Sequence, residues 1–205
     1  MSKILKQSAA HKLDAGERQY LDYILESTSR IRELTDSMLM FMKVGTGASS
    51  EPVCLSKVLE TTLHDLAPEI ASTGAVVRKS PLPTIHGVSW QLQLVFKNLL
   101  HNSLKYRDPE TPLQIEIEHL QEKEHHAVLV SDNGLGIPDF EKDKLFQAFT
   151  RLSSAKGKPG SGLGLSIVQR VMEGLGGSIE LLPLDGPGAI FKLMFPHHGE
   201  CITNF

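Results

Sequence analysis

Asp132-Asn133-Gly134-Leu135-Gly136-Ile137 follows the apolar run Ala127-Val128-Leu129-Val130 across the single residue Ser131. A short β-rich run ending in an acid and two glycines delivers one carboxylate to a pocket floor and then turns away sharply, because glycine adopts the backbone angles such a turn needs. A carboxylate accepts hydrogen bonds and donates none. At the bottom of an apolar slot Asp132 therefore selects a ligand edge that donates, such as the 6-amino group of adenine, whereas guanine presents a carbonyl there. The same residues also suit a hairpin turn, a frequent use of Asp-Asn-Gly, so the stretch alone leaves both readings open.

A second glycine cluster, Gly160-Ser161-Gly162-Leu163-Gly164-Leu165, runs into the helical pattern Ser166-Ile167-Val168-Gln169-Arg170-Val171-Met172. Glycines ahead of a helix let backbone N–H groups approach phosphate oxygens, and the helix N-terminus adds a field that favours an anion. The spacing fits neither the dinucleotide fingerprint nor the P-loop, and no GK[ST] follows. A third element is the helical stretch Trp90 to Tyr106, in which Asn98, Asn102 and Lys105 are spaced four and three and stack on one face. Leu92, Val95, Phe96, Leu99 and Leu100 take the flank and back. An amide oxygen such as that of Asn102 is a hard ligand for Mg²⁺, which takes few protein ligands alongside phosphate oxygens, and Lys105 can meet phosphate charge. An ordinary solvated Asn/Lys face is the alternative for this helix taken alone.

The chain has 205 residues with 40% hydrophobic content, enough for one well-buried domain and an appendage. A net charge of −3, with Lys and Arg scattered, supplies no basic field for nucleic acid or an anionic membrane. Cys54 and Cys201 lie far apart and outside any metal-ligand spacing, so a reducing compartment is expected. No run approaches the roughly 20 apolar residues of a membrane span, and the N-terminus has no apolar signal region. A cytoplasmic location is the resulting expectation.

From Asp14 to about Lys43 no proline occurs, and Leu21, Ile24, Thr28, Ile31, Thr35, Met38 and Met42 recur at steps of three and four. This spacing predicts a long helix over 14–43 whose seam pairs with other helices, with Asp14 as N-cap and Glu17 closing a capping box. The small-residue stretch from Val44 to Pro52 reads as a linker, with 47–52 as the connecting segment. Beyond it, helices are expected over Leu55 to Ile70, Trp90 to Tyr106, Asp139 to Phe149 and Leu163 to Leu175. Strands are expected at 75–77, 84–85, 113–119, 127–131, 178–182 and 189–195. Strands and helices mixed without regular alternation point to an α+β fold, a two-layer sandwich with helices on one face of a mixed sheet.

In this order the segments resemble the ATP-binding catalytic domain of sensor histidine kinases, within the wider ATPase superfamily of gyrase-type topoisomerases and heat-shock chaperones. NLLHNSLKY is similar to that family's asparagine box, DNGLGI to its first glycine box, LFQAFTRL to its phenylalanine box and GSGLGL to its second glycine box. KYRDPETP and LDAGERQYLDYI look most like kinases attached to bacterial phytochromes and related PAS-linked sensors. The resemblance implies ATP and Mg²⁺ as ligands. It implies Asp132 on the adenine amine, with Gly134, Gly136 and Ile137 shaping the pocket, and Asn102 on Mg²⁺ beside Asn98. It further implies Lys105 and Tyr106 near phosphates or ribose, Asn102 and Lys105 in catalysis, Phe146 and Phe149 anchoring a lid at Ser153 to Pro159, and Gly160, Ser161, Gly162, Leu163, Gly164 and Leu165 framing the triphosphate. Lys156 or Lys158 would reach phosphate when that lid closes, or remain solvated loop charges.

The same resemblance implies residues 1–46 as the remnant of a dimerisation hairpin, 53–197 as the ATP-binding domain and 198–205 as a tail. It implies a homodimer through the long helix and a response regulator receiver domain as partner. The acceptor histidine of such kinases is followed by an acid, a leucine, two further residues of which the first is variable or basic, and a proline. His64-Asp65-Leu66-Ala67-Pro68 imitates this with the proline one residue early and lies beyond the linker, so the acceptor is expected outside this chain. Two other activities fit part of the pattern: a nucleotide-binding and dimerisation module that transfers no phosphate, and a serine kinase of the anti-sigma type, which the long N-terminal helix disfavours.

Overall fold

The computed structural model describes residues 14–44, 49–122, 125–151, 160–184 and 186–196. A 29-residue helix α1 (Ala15–Lys43) opens the described chain. Its first turn carries the expected capping box: Asp14 Oδ1 accepts the Glu17 N–H at 2.8 Å and Glu17 Oε2 accepts the Asp14 N–H at 2.9 Å. Then follow β1 (Glu51–Cys54), α2 (Leu55–Asp65), α3 (Ala67–Thr73), β2 (Val76–Lys79), β3 (Thr84–Gly87), α4 (Ser89–Lys105), β4 (Gln114–Gln121) and β5 (His125–Asp132). A 3₁₀ turn (Asp139–Lys144), α5 (Gly164–Gly174), β6 (Ser178–Leu182) and β7 (Ala189–Pro196) complete it.

The main sheet has five strands in the order β2-β4-β5-β7-β6, with β2 parallel to β4 and every other pair antiparallel. Side chains alternate along a strand, so Val128 and Val130 of β5 lie on one face and meet Leu193 and Phe191 of β7 across the ladder. These residues share one core with Leu92, Val95, Phe96 and Leu99 of α4 and with Val168, Val171 and Met172 of α5. The helices thus pack on one face of a mixed sheet, as the sequence pattern implies. The same alternation brings Asp132, two residues after Val130, onto the helix-covered face at the end of β5. That register is what aims the carboxylate at α4.

Four local expectations differ. Residues 51 and 52, read as the end of the linker, belong to β1, which pairs antiparallel with β3 as Glu51↔Gly87 to Cys54↔Thr84. Pro52 is tolerated because this two-stranded ribbon leaves an edge on which a missing N–H costs no ladder bond. Val44, read as the linker's first residue, is 1% exposed and part of the core, and Phe41 packs beside it. The helix expected over 55–70 breaks at Leu66 (φ −91°, ψ 1°), and α3 restarts with Pro68 in its first turn, where a missing N–H goes unneeded. Between Asp139 and Phe149 only the 3₁₀ turn forms, and Phe149 at φ +64° ends any continuation.

Truncating Val44 should therefore act as a core lesion rather than as a linker change. Val44→Ala is expected to lower the unfolding free energy by about 1–3 kcal/mol. Urea denaturation of the two proteins checks it, and a linker residue would give no shift.

Candidate functional site

Asp132 sits where β5, α4 and β7 meet. Its Oδ1 accepts the Gly134 N–H at 2.9 Å, and its Oδ2 accepts the Ser103 hydroxyl at 2.8 Å. Burial pushes the carboxyl above the usual aspartate range, and hydrogen bonds from the Gly134 backbone, the Ser103 side chain and the Ala189 backbone work against that rise. The hairpin alternative for Asp-Asn-Gly does not hold, because the next strand in the chain, β6, is not a neighbour of β5. Asn133 instead ties the turn to the start of β4: its Oδ1 accepts the Gln114 N–H at 2.8 Å and its Nδ2 donates to Pro112 O at 3.0 Å. The Leu135 N–H donates to Tyr106 O at 3.0 Å and fastens the turn to the end of α4.

That closeness explains the first pair of glycines. A Cβ at Gly134 would stand 2.8 Å from Tyr106 O and 3.0 Å from Asp132 Oδ1. Gly136, at φ +73°, lies with its Cβ direction 3.0 Å from Gly188 O, so it combines a left-handed turn with a close approach. Ile137 and Phe146 are half-buried and pack against the core beneath this turn.

The polar stripe of α4 faces the second glycine loop. Asn98 donates from Nδ2 to Leu94 O at 2.8 Å, and its Oδ1 lies 2.8 Å from where a Cβ of Gly164 would stand. Lys105 Nζ lies 2.6 Å from the corresponding position at Gly160 and 4.6 Å over the Tyr106 ring. Asn102 is half-buried between them on the same stripe. On its other side the loop backs onto the phenylalanine segment: a Cβ at Gly162 would stand 2.8 Å from Thr150 O and 2.9 Å from the Phe149 carbonyl carbon. Phe149 itself is 60% exposed. Leu163 is buried and Leu165 half-buried in the core, and Ser161 Oγ contacts Ser37 Oγ of α1 at 3.2 Å and accepts the Leu163 N–H at 3.3 Å. Helix α5 then starts at Gly164.

The structure thus brings Asn98 and Lys105 against Gly164 and Gly160, with Asn102 between them on the stripe, and places Asp132 and Gly134 against Ser103 and Tyr106 at the same C-terminal end of α4. Amide oxygens and an ammonium on one stripe are the donor chemistry that suits a triphosphate with Mg²⁺. Ser153 to Pro159, with Lys156 and Lys158, lie outside the described residues, as do His11, His197, His198 and Cys201. A cleft of about 240 Å³, lined by Gly136, Ile137, Pro138, Leu181, Gly188 and Ala189 among others, adjoins this turn and includes none of the α4 stripe. Sequence reasoning missed the contacts that Ser103 and the Gly188-Ala189 backbone make at Asp132, although it placed the strand from 189 correctly. The signal at Ser103 was a small hydroxyl among Leu99, Leu100 and Leu104 on the buried flank of the helix.

A glycine turn, a polar helix stripe and a helix-starting glycine loop around one buried carboxylate define a nucleotide-binding α/β sandwich distinct from dinucleotide and P-loop folds. The chain belongs to the histidine kinase-, DNA gyrase B-, and HSP90-like ATPase family, whose pattern matches residues 87–199, more than half of its length. It is 33% identical over 199 residues to cyanobacterial phytochrome A of Nostoc sp., covering 97% of this chain and 26% of that protein. To the circadian input-output histidine kinase CikA of Synechococcus elongatus it is 28% identical over 207 residues, covering 96% of this chain and 27% of the relative. Full-length ShkA in complex with AMPPNP superposes with a TM-score of 0.71 at 26% identity, over 96% of this chain and 41% of that one. The chain spans about a quarter of the length of these two curated relatives. Among the described residues no helix is long and apolar enough to cross a membrane.

Because the folded carboxyl of Asp132 titrates above its unfolded value, its contribution to stability is present below the unfolded pKa and is lost as pH rises through the folded one. At neutral pH the buried charge is a net cost to the free protein. Asp132→Asn keeps an oxygen for the Gly134 N–H and offers an amide to Ser103, so it is expected to melt at a higher temperature than the parent at pH 7. ATP affinity should fall at the same time by roughly tenfold to a hundredfold. Paired thermal unfolding and calorimetry read both effects.

Proposed function

We propose that this chain is the ATP-binding catalytic region of a cytoplasmic two-component sensor kinase of the phytochrome-linked kind. Its γ-phosphoryl would pass to a histidine and from there to a receiver-domain aspartate of a response regulator. The observation that carries this reading is the convergence of the α4 stripe, the Gly160 to Gly164 loop and Asp132 along a single helix. Asp132 reads the adenine edge, Lys105 neutralises phosphate charge, and the N–H groups at the start of α5 meet the triphosphate. Asn102, with Asn98 beside it, is the residue we assign to hold Mg²⁺, which would supply charge neutralisation to the triphosphate. The chain's own work is positioning. Phosphoryl transfer asks for alignment and electrostatics more than covalent chemistry from the protein.

None of the nine histidines stands in an acceptor context, and His64 is exposed on α2 within the ATP-binding fold. Incubated with γ-labelled ATP, the chain alone is expected to take up no acid-labile, base-stable label. Label should appear on a longer homologous chain that supplies the acceptor helix in trans. Label on His64 would overturn the acceptor assignment, and the absence of label in trans would favour a nucleotide-binding module that transfers nothing.

We further propose a homodimer through α1. Ile24 and Ile31 are 61% and 65% exposed, and Tyr20, Met38 and Met42 stand out from the same helix. Each large side chain contributes roughly 1.5–3 kcal/mol on full burial, and two-fold pairing of identical stripes is the commonest way to achieve it. Sedimentation at tens of micromolar is expected to give a dimer that Ile24→Glu with Ile31→Glu dissociates. A monomer unaffected by the double substitution would show that the stripe is not a self-association face.

A further inference from the structure

The donor that sequence reasoning missed sits where the purine is chosen. Ser103 is 4% exposed, and its one hydroxyl proton has two acceptors within reach, Asp132 Oδ2 at 2.8 Å and the Leu99 carbonyl at 3.3 Å. The shorter contact is to a carboxylate, and a hydrogen bond to a charged acceptor is about twice as strong as a neutral one, so the proton goes to Asp132. A carboxylate offers roughly four acceptor positions. The Gly134 N–H on Oδ1 and the Ser103 hydroxyl on Oδ2 occupy two of them, with the Ala189 backbone close by. What remains is open to a ligand. The Gly134 donor belongs to the backbone and comes with the fold, whereas Ser103 is a side chain that substitution can remove.

We propose that Ser103 is a specificity-determining positioning residue, whose hydroxyl fixes Oδ2 of Asp132 so that an acceptor position left open reads an amino rather than an oxo group at purine C6. The inference rests on Asp132 being the adenine partner. Without the hydroxyl, Oδ2 becomes a buried acceptor with no donor, a state the carboxyl relieves by rotating or by taking up a proton. A protonated carboxyl donates, and a donor pairs with the 6-oxo group it should reject. Burial already pushes this carboxyl upward, with Ser103 among the groups that oppose the rise. A serine that served only the helix, through its bond to Leu99, would affect stability and leave the choice of purine alone.

The test measures ATP and inosine triphosphate binding by calorimetry with Mg²⁺, on the full chain and on Ser103→Ala, Asp132→Asn, the double variant and Ser103→Thr. The parent is expected to prefer ATP by about tenfold or more, and Ser103→Ala to shrink that ratio by roughly three- to tenfold. In the Asp132→Asn background Ser103→Ala should change the ratio no further, since the carboxylate it positions is gone. Ser103→Thr keeps the hydroxyl and should keep the preference, which holds the proposal to account even if the alanine variant folds poorly. Equal weakening of both nucleotides in Ser103→Ala, or a folded threonine variant that loses the preference, overturns the role of Ser103. Retention of the full preference in Asp132→Asn instead overturns the reading of Asp132 beneath it.

Discussion

The partly buried carboxylate of Asp132 is the constraint to which this domain is built. A charge on the helix-covered face of a sheet must be held by fixed donors, because desolvation costs more than any single hydrogen bond returns. The turn after β5 supplies Gly134, β7 supplies Ala189 and α4 supplies Ser103, so three separate elements must arrive at one point. Much of the local sequence follows from that meeting. Gly188 abuts the Asp132 carbonyl too closely for any side chain, and Asn133 secures the turn to β4 through both ends of its amide. Burial of this carboxyl, only partly offset by its donors, is a cost that the free protein carries.

How much of this was legible depended on range in the sequence. Local signals were read in full: the Asp14/Glu17 capping box, the long helix, the three and four spacing of Asn98, Asn102 and Lys105, and the two glycine clusters. What escaped was decided by partners distant in the chain. Strand β1 has little strand character of its own and exists because β3 pairs with it, over a separation no periodicity reports. Ser103 looked like one more small residue on an apolar flank, and its partner lies 29 positions away. Val44 read as linker because Gly, Ser and Ala follow it, yet burial is set by what folds over a residue and not by its neighbours in sequence.

The end of α1 shows the same dependence on distant partners, with a mechanical consequence. Phe41 lies under the Arg170 guanidinium at 4.6 Å, Ser37 meets Ser161, and Val44 is sealed in the core. The last turns of the long helix are therefore packed against α5 and the glycine loop, while Tyr20, Tyr23, Ile24 and Ile31 stay exposed. A cation over an aromatic face and a neutral hydroxyl pair are each modest interactions. Burial of Val44 and Phe41 contributes the larger share. The helix is thus continuous with the nucleotide domain at one end and open to association along the rest, so displacement of its outer part would be felt first at Ser161.

Glycine in this chain has two meanings that composition alone does not separate. At Gly74, Gly174 and Gly186 an added Cβ would meet nothing within 4 Å, and these residues are punctuation for helix ends and a hairpin. At Gly160 and Gly164 the same atom would press on Lys105 Nζ at 2.6 Å and Asn98 Oδ1 at 2.8 Å, and at Gly134 on Tyr106 O at 2.8 Å. All three contacts lie along one helix, α4 and its C-cap residue Tyr106, with Ser103 reaching Asp132 between them. The glycines of both boxes are there chiefly for distance: they let two loops close on the C-terminal half of α4 and its cap. A Cβ in either loop would push that loop away from the helix and widen the gap between them.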